Sequence, residues 1–392
     1  MIRHLVLCGL GPGHLRLLEH LTRQAGHIRS DIGISLLTRQ HRYIRDSTLR
    51  QTIASATNDK MAARLAREAA AQSERLELMV QKTGIRWIDN TASGLDPATR
   101  TLQLDDGRTL RFDWLSIEPE PEQDRELIDQ TLPGARANGL FMRPYEAFCK
   151  LWPQVQALAA TRPLRFTVVL DNSQIDSVAD EDTDTGAGTG TGAGAGVAKP
   201  FAPEKPALEL AFALRHAFKS SAVTVITGGA EVGAGLNPQL QLTLQKALQK
   251  RHINVLRDAA CAIEPGEILL RSGARLACDV PLLACRQAGP EWLLQSGLTL
   301  NPQGGIETDQ DLRSTSHPVI YVHSPVDTAQ AGRLYTSLRR MINGQPVAAN
   351  APARTEPGHP NRLYRLDCAD GYVLLAWRNW AIESRHLWGR RS

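Results

Sequence analysis

The chain has 392 residues, a hydrophobic fraction of 42%, and 45 Lys+Arg against 41 Asp+Glu, for a formal net charge of +4. That length exceeds a single core and suits two domains with a tail, and the near-balanced charge, with no basic stripe interleaved with aromatics, argues for no nucleic acid partner. No apolar run approaches the ~20 residues of a membrane span, and the six cysteines are scattered without a C-x-x-C pair, which points to reduced buried thiols in a cytoplasmic protein and to no metal site.

The N-terminal apolar stretch runs directly into a glycine turn with no small-residue cleavage site, so no secretory leader is expected. Residues 3 to 8 read as a strand, followed by Gly9, Gly11 and Gly13 and a helix over 14 to 25. Strand, tight glycine turn and helix form the geometry that holds a dinucleotide pyrophosphate. Gly9 permits the turn, Gly11 allows close approach, and the helix start offers free N–H groups and a positive dipole end. A purely structural βα turn is the other reading of the same residues. A second strand follows at 32 to 38, then an Ala-, Leu- and charge-rich helix over 58 to 82. "IRWID" and "TLQLDDGRTLRF" read as short strands with "DDG" as a hairpin turn, and "FDWLSI" as a strand that ends at Pro119. A proline enters the helix over 144 to 160.

A second unit alternates strand and helix: 164 to 170, the helix 207 to 218, 222 to 229, the helix 237 to 252, and "INVLRD". This order predicts a parallel sheet. Further short strands lie in "EILLRSGARLACDVPLLACR". A late strand over 317 to 327 precedes the helix "AGRLYTSLRRMING", and a tail follows from about residue 348. Residues 176 to 198 are acidic and then Gly/Ala/Thr-rich, and predict a disordered loop. Its Gly188-x-Gly190 imitates a dinucleotide fingerprint but has no strand directly before it or helix after it. His14, His216 and His323 lack metal-ligand spacing, and neither a G-x-S-x-G nor a P-loop is present.

In combination, Leu5 to His14, Phe112 to Ile117, Glu209 to His216 and Trp377 to Arg391 resemble the FAD-dependent pyridine nucleotide-disulfide oxidoreductases. The resemblance is to the type II NADH dehydrogenase-like branch, including the oxidoreductase module fused to selenide, water dikinase. It implies an α/β fold of two Rossmann-like domains that bind FAD and NAD(P)H, the second inserted in the first, with a short C-terminal tail. The implied borders are 1 to 160 and 296 to 346 for the FAD-binding domain, 161 to 295 for the inserted domain with its 176 to 200 insertion, and 347 to 392 for the tail. Hydride would pass from nicotinamide to flavin, and from flavin to a quinone or other small-molecule acceptor.

Carried onto this chain, the resemblance makes Gly9, Gly11, Gly13 and His14 the cofactor turn, with His14 where the general fingerprint has its third glycine. Thr38 stands where an acidic residue usually binds the ribose. Asp327 is the counterpart of an aspartate that contacts the flavin cofactor, or else the N-cap of the next helix. Glu209 matches a glutamate near the flavin–nicotinamide contact and is the catalytic candidate. Two departures stand out. Glu118, Pro119 and Glu120 replace a small Thr-Gly close to the cofactor, so their carboxylates would repel a diphosphate. "DNSQ" and an acidic insertion replace the second glycine turn, which predicts poor binding of NAD(P)H. The tail, with Trp377, Trp380, Arg385, Trp388, Arg390 and Arg391, suits either peripheral contact at the inner face of a membrane or packing on its own domain. The alternative to an oxidoreductase is a non-catalytic scaffold that binds a nucleotide or a partner protein.

Overall fold

The computed structural model describes residues 2–24, 31–41, 46–55, 59–118, 123–170, 204–233, 238–284, 290–301, 305–323, 330–345, 364–377 and 380–385. The acidic and glycine-rich segment predicted as a loop lies outside them, as do Asp327, Trp388, Arg390 and Arg391. In chain order the elements are β1 (Arg3–Cys8), α1 (Pro12–Arg23), β2 (Ile32–Leu37), α2 (Asp46–Ala54), α3 (Asp59–Thr83), β3 (Arg86–Ile88), β4 (Ala92–Asp96), β5 (Thr101–Leu104), β6 (Thr109–Arg111) and β7 (Trp114–Ile117). They continue with α4 (Arg125–Thr131), α5 (Ala135–Asn138), β8 (Leu140–Phe141), α6 (Tyr145–Thr161), β9 (Arg165–Leu170), α7 (Glu204–Ala217), β10 (Ala222–Ile226), α8 (Pro238–Lys250), β11 (Ile253–Leu256) and β12 (Ala260–Glu264). The last are β13 (Glu267–Leu270), β14 (Arg275–Ala277), β15 (Val280–Ala284), α9 (Glu291–Leu294), β16 (Ile320–Val322), α10 (Gln330–Ile342), β17 (Tyr364–Asp367), β18 (Val373–Trp377) and β19 (Trp380–Ser384).

Two units emerge. The first contains Met1–Ile44, Ala63–Glu122 and Gln287–Thr355. Its sheet is parallel, in the order β16-β7-β1-β2-β3. β1 is central and covered on both sides, so from Leu5 to Cys8 it reads as an unbroken apolar run rather than an alternating one. The two-residue period of a strand then divides that run. Leu5 and Leu7 join the core formed with Leu17, Leu18, Leu334 and Leu338, whereas Val6 and Cys8 join Leu102, Phe112, Leu115 and Ile117. β5 and β6 form the predicted hairpin, and β4, a strand the sequence reading does not mark, pairs with β5 to complete an antiparallel sheet in this second layer.

The second unit contains Arg45–Ala62, Gln123–Arg286 and Glu356–Ser392. Its sheet is also parallel, in the order β11-β10-β9-β15-β8. Residues 123–160, which the sequence reading groups with the first nucleotide-binding part, cluster here. β8 extends this sheet through Leu140↔Leu282 and Phe141↔Leu283, and the Gln123 amide donates to the Leu283 carbonyl at 2.8 Å. α7 is apolar almost all round, with Ala207, Leu208, Leu210, Ala211, Phe212, Ala213 and Leu214 buried, which is the composition of a core helix.

The stretch expected as a tail is a folded antiparallel sheet, β17-β18-β19, of this second unit. Arg251 pins it to α8, reaching Asp370 at 2.8 Å and Glu383 at 2.6 Å while lying over the rings of Phe212 and Tyr372. Trp377 and Trp380 pair across the β18–β19 hairpin and stay about half exposed, at 45% and 49%. Among the described residues, no helix is long and apolar enough to cross a membrane.

Candidate functional site at the carboxyl edge of the first sheet

The first sheet runs outward from β1 in both directions, to β2 on one side and β7 on the other. Open α/β sheets bind ligands in the crevice outside the carboxyl ends of their strands, at such a switch point. Three strand ends converge there. Cys8 pairs with Ile117, and Ile117 pairs with Val322, so Gly9, Glu118 and His323 emerge side by side. Backbone bonds extend the pairing beyond the strands: the Glu118 N–H donates to the Cys8 carbonyl at 2.9 Å, and the His323 N–H to the Ile117 carbonyl at 2.9 Å.

The glycine turn has the predicted geometry. Gly9 has φ +86°, a left-handed conformation that favours glycine. Gly11 is the N-cap of α1, Pro12 takes the first turn, and glycine brings no side chain to satisfy the helix's first N–H groups. An oxygen acceptor must therefore arrive from elsewhere, and in this protein it is the chain's own. The Glu118 carboxylate accepts from the Gly13 N–H at 2.8 Å and from the His14 N–H at 2.5 Å. It also lies 3.5 Å from His14 Nδ1 and 3.4 Å from His323 Nδ1. Its side chain is only 1% exposed.

This arrangement defines the roles of the predicted residues. A Cβ built on Gly11 would fall 2.5 Å from Glu118 Cδ, and one on Gly13 would fall 2.8 Å from Glu118 Oε1. Both glycines make room for the glutamate. His14 bridges the turn to β7: Nδ1 donates to the Gly9 carbonyl at 2.8 Å, and Nε2 lies 2.7 Å from the Ser116 hydroxyl. Thr38 is buried beyond β2, where its hydroxyl oxygen accepts from the Gln40 N–H at 3.0 Å. Sequence reading marked Glu118 as a group that would repel a diphosphate; the structure places its carboxylate at the anion position itself. His323 had no signal of spacing, because only the sheet brings it to residues 118 and 14.

Glu209 belongs to the second unit. Buried on α7, it accepts from the Asp367 N–H at 2.9 Å and meets the Arg50 guanidinium at 2.5 Å. Burial lifts its carboxyl above the usual range, and this outweighs the opposing pull of Arg50 and Lys205. Glu209 therefore ties a core helix to β17 and α2. Burial also pushes the Cys8 and Cys368 thiols up to about 12, so neither supplies a ready thiolate.

The turn has the right donors for a pyrophosphate, but with Glu118 in place those donors are engaged and the space over Gly11 is filled. As arranged, the first site does not fit FAD. The turn after β9, where a nicotinamide cofactor would be sought, lies outside the described residues.

Residues 206–330 match the family model "Pyridine nucleotide-disulphide oxidoreductase". No curated protein sequence matches the chain. Among solved structures, the sulfide:quinone oxidoreductase of the hyperthermophilic bacterium Aquifex aeolicus is 15% identical with a TM-score of 0.65, over 98% of this chain and 87% of that one. The NAD-dependent persulfide reductase of A. fulgidus is 15% identical with a TM-score of 0.65, over 95% of this chain but 63% of its own. A ferredoxin reductase of the CYP199A2 system from Rhodopseudomonas palustris is 16% identical with a TM-score of 0.63, over 95% and 81%. Enzymes of the matched family use FAD and NAD(P)H. Residues 206–330 thus match the pyridine nucleotide-disulphide oxidoreductase model, and the chain has the Rossmann-like fold of these solved oxidoreductases.

Proposed function

We propose that the protein is an NAD(P)H dehydrogenase-like oxidoreductase that hands electrons to a quinone or other small-molecule acceptor. FAD would be its redox group only in a form from which Glu118 has left the glycine turn. The observation that carries this reading is the family match over 206–330 joined to a glycine turn at the switch point of a parallel sheet. Bound flavin would supply hydride acceptance and onward electron transfer. The chain's own part is to present the Gly13 and His14 N–H groups, held here by Glu118, at a helix start. In the second unit, the C-terminal sheet with Trp377 and Trp380 is the proposed place for an apolar acceptor or peripheral membrane contact.

A second reading is a non-catalytic scaffold, and the observation that favours it is Glu118 itself. One experiment separates them. The purified chain is examined for a flavin band near ~450 nm, reconstituted with FAD, and assayed for NADH and NADPH oxidation with a soluble quinone. Flavin retention with quinone-dependent oxidation supports the enzyme. Absence of both, before and after reconstitution, selects the scaffold.

A further inference from the structure

We propose that Glu118 is an internal anion that occupies the diphosphate position of the first unit, so that an adenine dinucleotide enters this turn only by displacing it. The proposal does not depend on turnover, because it concerns who holds the turn in the resting chain.

A carboxylate taken out of water costs several kcal/mol unless donors replace the lost hydration. Glu118 finds them where a diphosphate would. The N–H groups of Gly13 and His14 are orphan donors of α1 and point from the positive end of its dipole. Two imidazoles, of His14 and His323, close around the same two oxygens at 3.5 and 3.4 Å. The match is steric as well as electrostatic. Gly11 and Gly13 lack the Cβ that would strike Glu118 at 2.5 and 2.8 Å. The glycines that let a cofactor's phosphates approach the backbone therefore serve the side chain instead. Glu118 is also anchored: its own N–H continues the β7–β1 pairing to Cys8. The carboxylate can leave only by rotating about its side chain, and the incoming ligand must supply oxygens for the same two donors.

Occupancy and repulsion make different predictions, which variants at residue 118 separate. ADP is the probe, because it carries the diphosphate without the flavin; binding is read by titration calorimetry and by the rise in Tm that a ligand specific for the folded state produces. Glu118→Gly removes the whole side chain and should bind ADP at least ~10-fold more tightly than the wild type. Glu118→Gln keeps the volume and one acceptor oxygen without the charge, and should gain little. Equal gains in the two variants would mean that charge rather than occupancy closes the turn, and would overturn the proposal. So would a folded Glu118→Gly chain with no gain, or a wild type that binds ADP as tightly as the variant.

Should Glu118→Gly fail to fold, Gly11→Ala decides, made both in the wild type and in Glu118→Ala. Gly11 has an ordinary extended conformation (φ −108°), so alanine is acceptable to the backbone itself. Its Cβ would meet Glu118 Cδ at 2.5 Å and Oε2 at 2.7 Å, and also Glu118 Cβ at 2.8 Å, which stays in place wherever the carboxylate goes. Glu118→Ala keeps that Cβ and lacks the carboxylate. A fall in Tm that is larger in the wild type by about 3 °C or more supports occupancy, and equal falls in the two backgrounds overturn it. The outcomes separate from those of the proposed enzyme. Tighter ADP binding by Glu118→Gly without any NAD(P)H oxidation leaves this inference standing and removes the enzyme. Quinone-dependent oxidation by the wild type without an ADP gain in Glu118→Gly does the reverse.

Discussion

Glu118 in the first unit and Glu209 in the second are both buried carboxylates, and their partners give them different roles. Glu118 is held by the N–H groups that open a helix and by two imidazoles, at the carboxyl edge of a parallel sheet. Glu209 is held by a guanidinium and one backbone N–H in the interior of α7's packing. The first set of donors would serve any oxyanion and is therefore exchangeable with a ligand. The second includes a fixed counter-charge from α2, and removing the acid strands that charge. A buried acid is a clue to function when its donors would serve a ligand equally well, and a clue to architecture when they belong to another side chain.

The largest expected effect tests the architectural half. Glu209→Ala leaves Arg50 beside an unfilled, largely dry site and should cost about 3 to 5 kcal/mol in denaturant unfolding, with no gain in ADP affinity. An ADP gain comparable to that of Glu118→Gly would break the distinction between the two acids. Replacing both partners, as Arg50→Met with Glu209→Gln, should recover much of that loss, to within about 1 to 2 kcal/mol of the wild type. No recovery would mean that Glu209 acts through something other than its ion pair.

A smaller effect comes from Gly13→Ala. Its Cβ would meet Glu118 Oε1 at 2.8 Å, Leu334 Cδ2 at 3.0 Å and the Ala331 carbonyl at 3.2 Å. Crowding of about 1 to 3 kcal/mol should exceed the gain of about 1 kcal/mol in helix propensity. A variant as stable as the wild type would show that the turn is looser than drawn. Equilibrium unfolding curves measure the difference.

The smallest effects are in pH dependence, where the two kinds of shift have opposite signs. Asp279, bonded to Arg165 and Arg162, is held well below the usual carboxylate range. Its contribution is present above the unfolded carboxylate pKa of about 4 and fades as pH falls towards its lowered folded value. Glu209 is shifted upward by burial, so the folded chain keeps that proton longer than the unfolded one. Its ionisation therefore removes stability as pH rises from about 4 through its folded value. Asp279→Asn should flatten the acid limb of a Tm-against-pH curve, by about 1 kcal/mol at most, while Glu209→Gln flattens the limb just above it. The same limb changing in both variants would contradict these assignments.

Much of the fold was legible because covered parallel strands and amphipathic helices leave strong patterns. β1, β9 and β10 were predicted as apolar strands, and α3, α6, α8 and α10 as helices from composition and periodicity. α2 was missed, since "DSTLRQTIA" offers only Leu49 and Ile53 as an apolar pair and gains its place against α7. The C-terminal sheet was missed because its alternation is short and its Arg251 anchor lies more than a hundred residues earlier. At the site, the glycine turn was readable from local order alone. The presence of acid at residue 118 was readable too, as a misfit with the resemblance, but its position was not.

The sequence by itself determined the local geometry: a strand that ends at a left-handed glycine, a helix that starts without a capping side chain, and an acid just after a second apolar strand. Those properties depend on backbone sterics and on periods of two and 3.6 residues, which act over a few neighbours. Tertiary structure alone decided which acceptor fills the turn. The pairing of β7 with β1, and of β16 with β7, brings residues 9–14, 118 and 323 to one edge. Strand pairing across more than a hundred residues depends on burying both faces of the sheet, a property of the whole core rather than of any window of the chain. Glu118 became the partner of Gly13 for that reason.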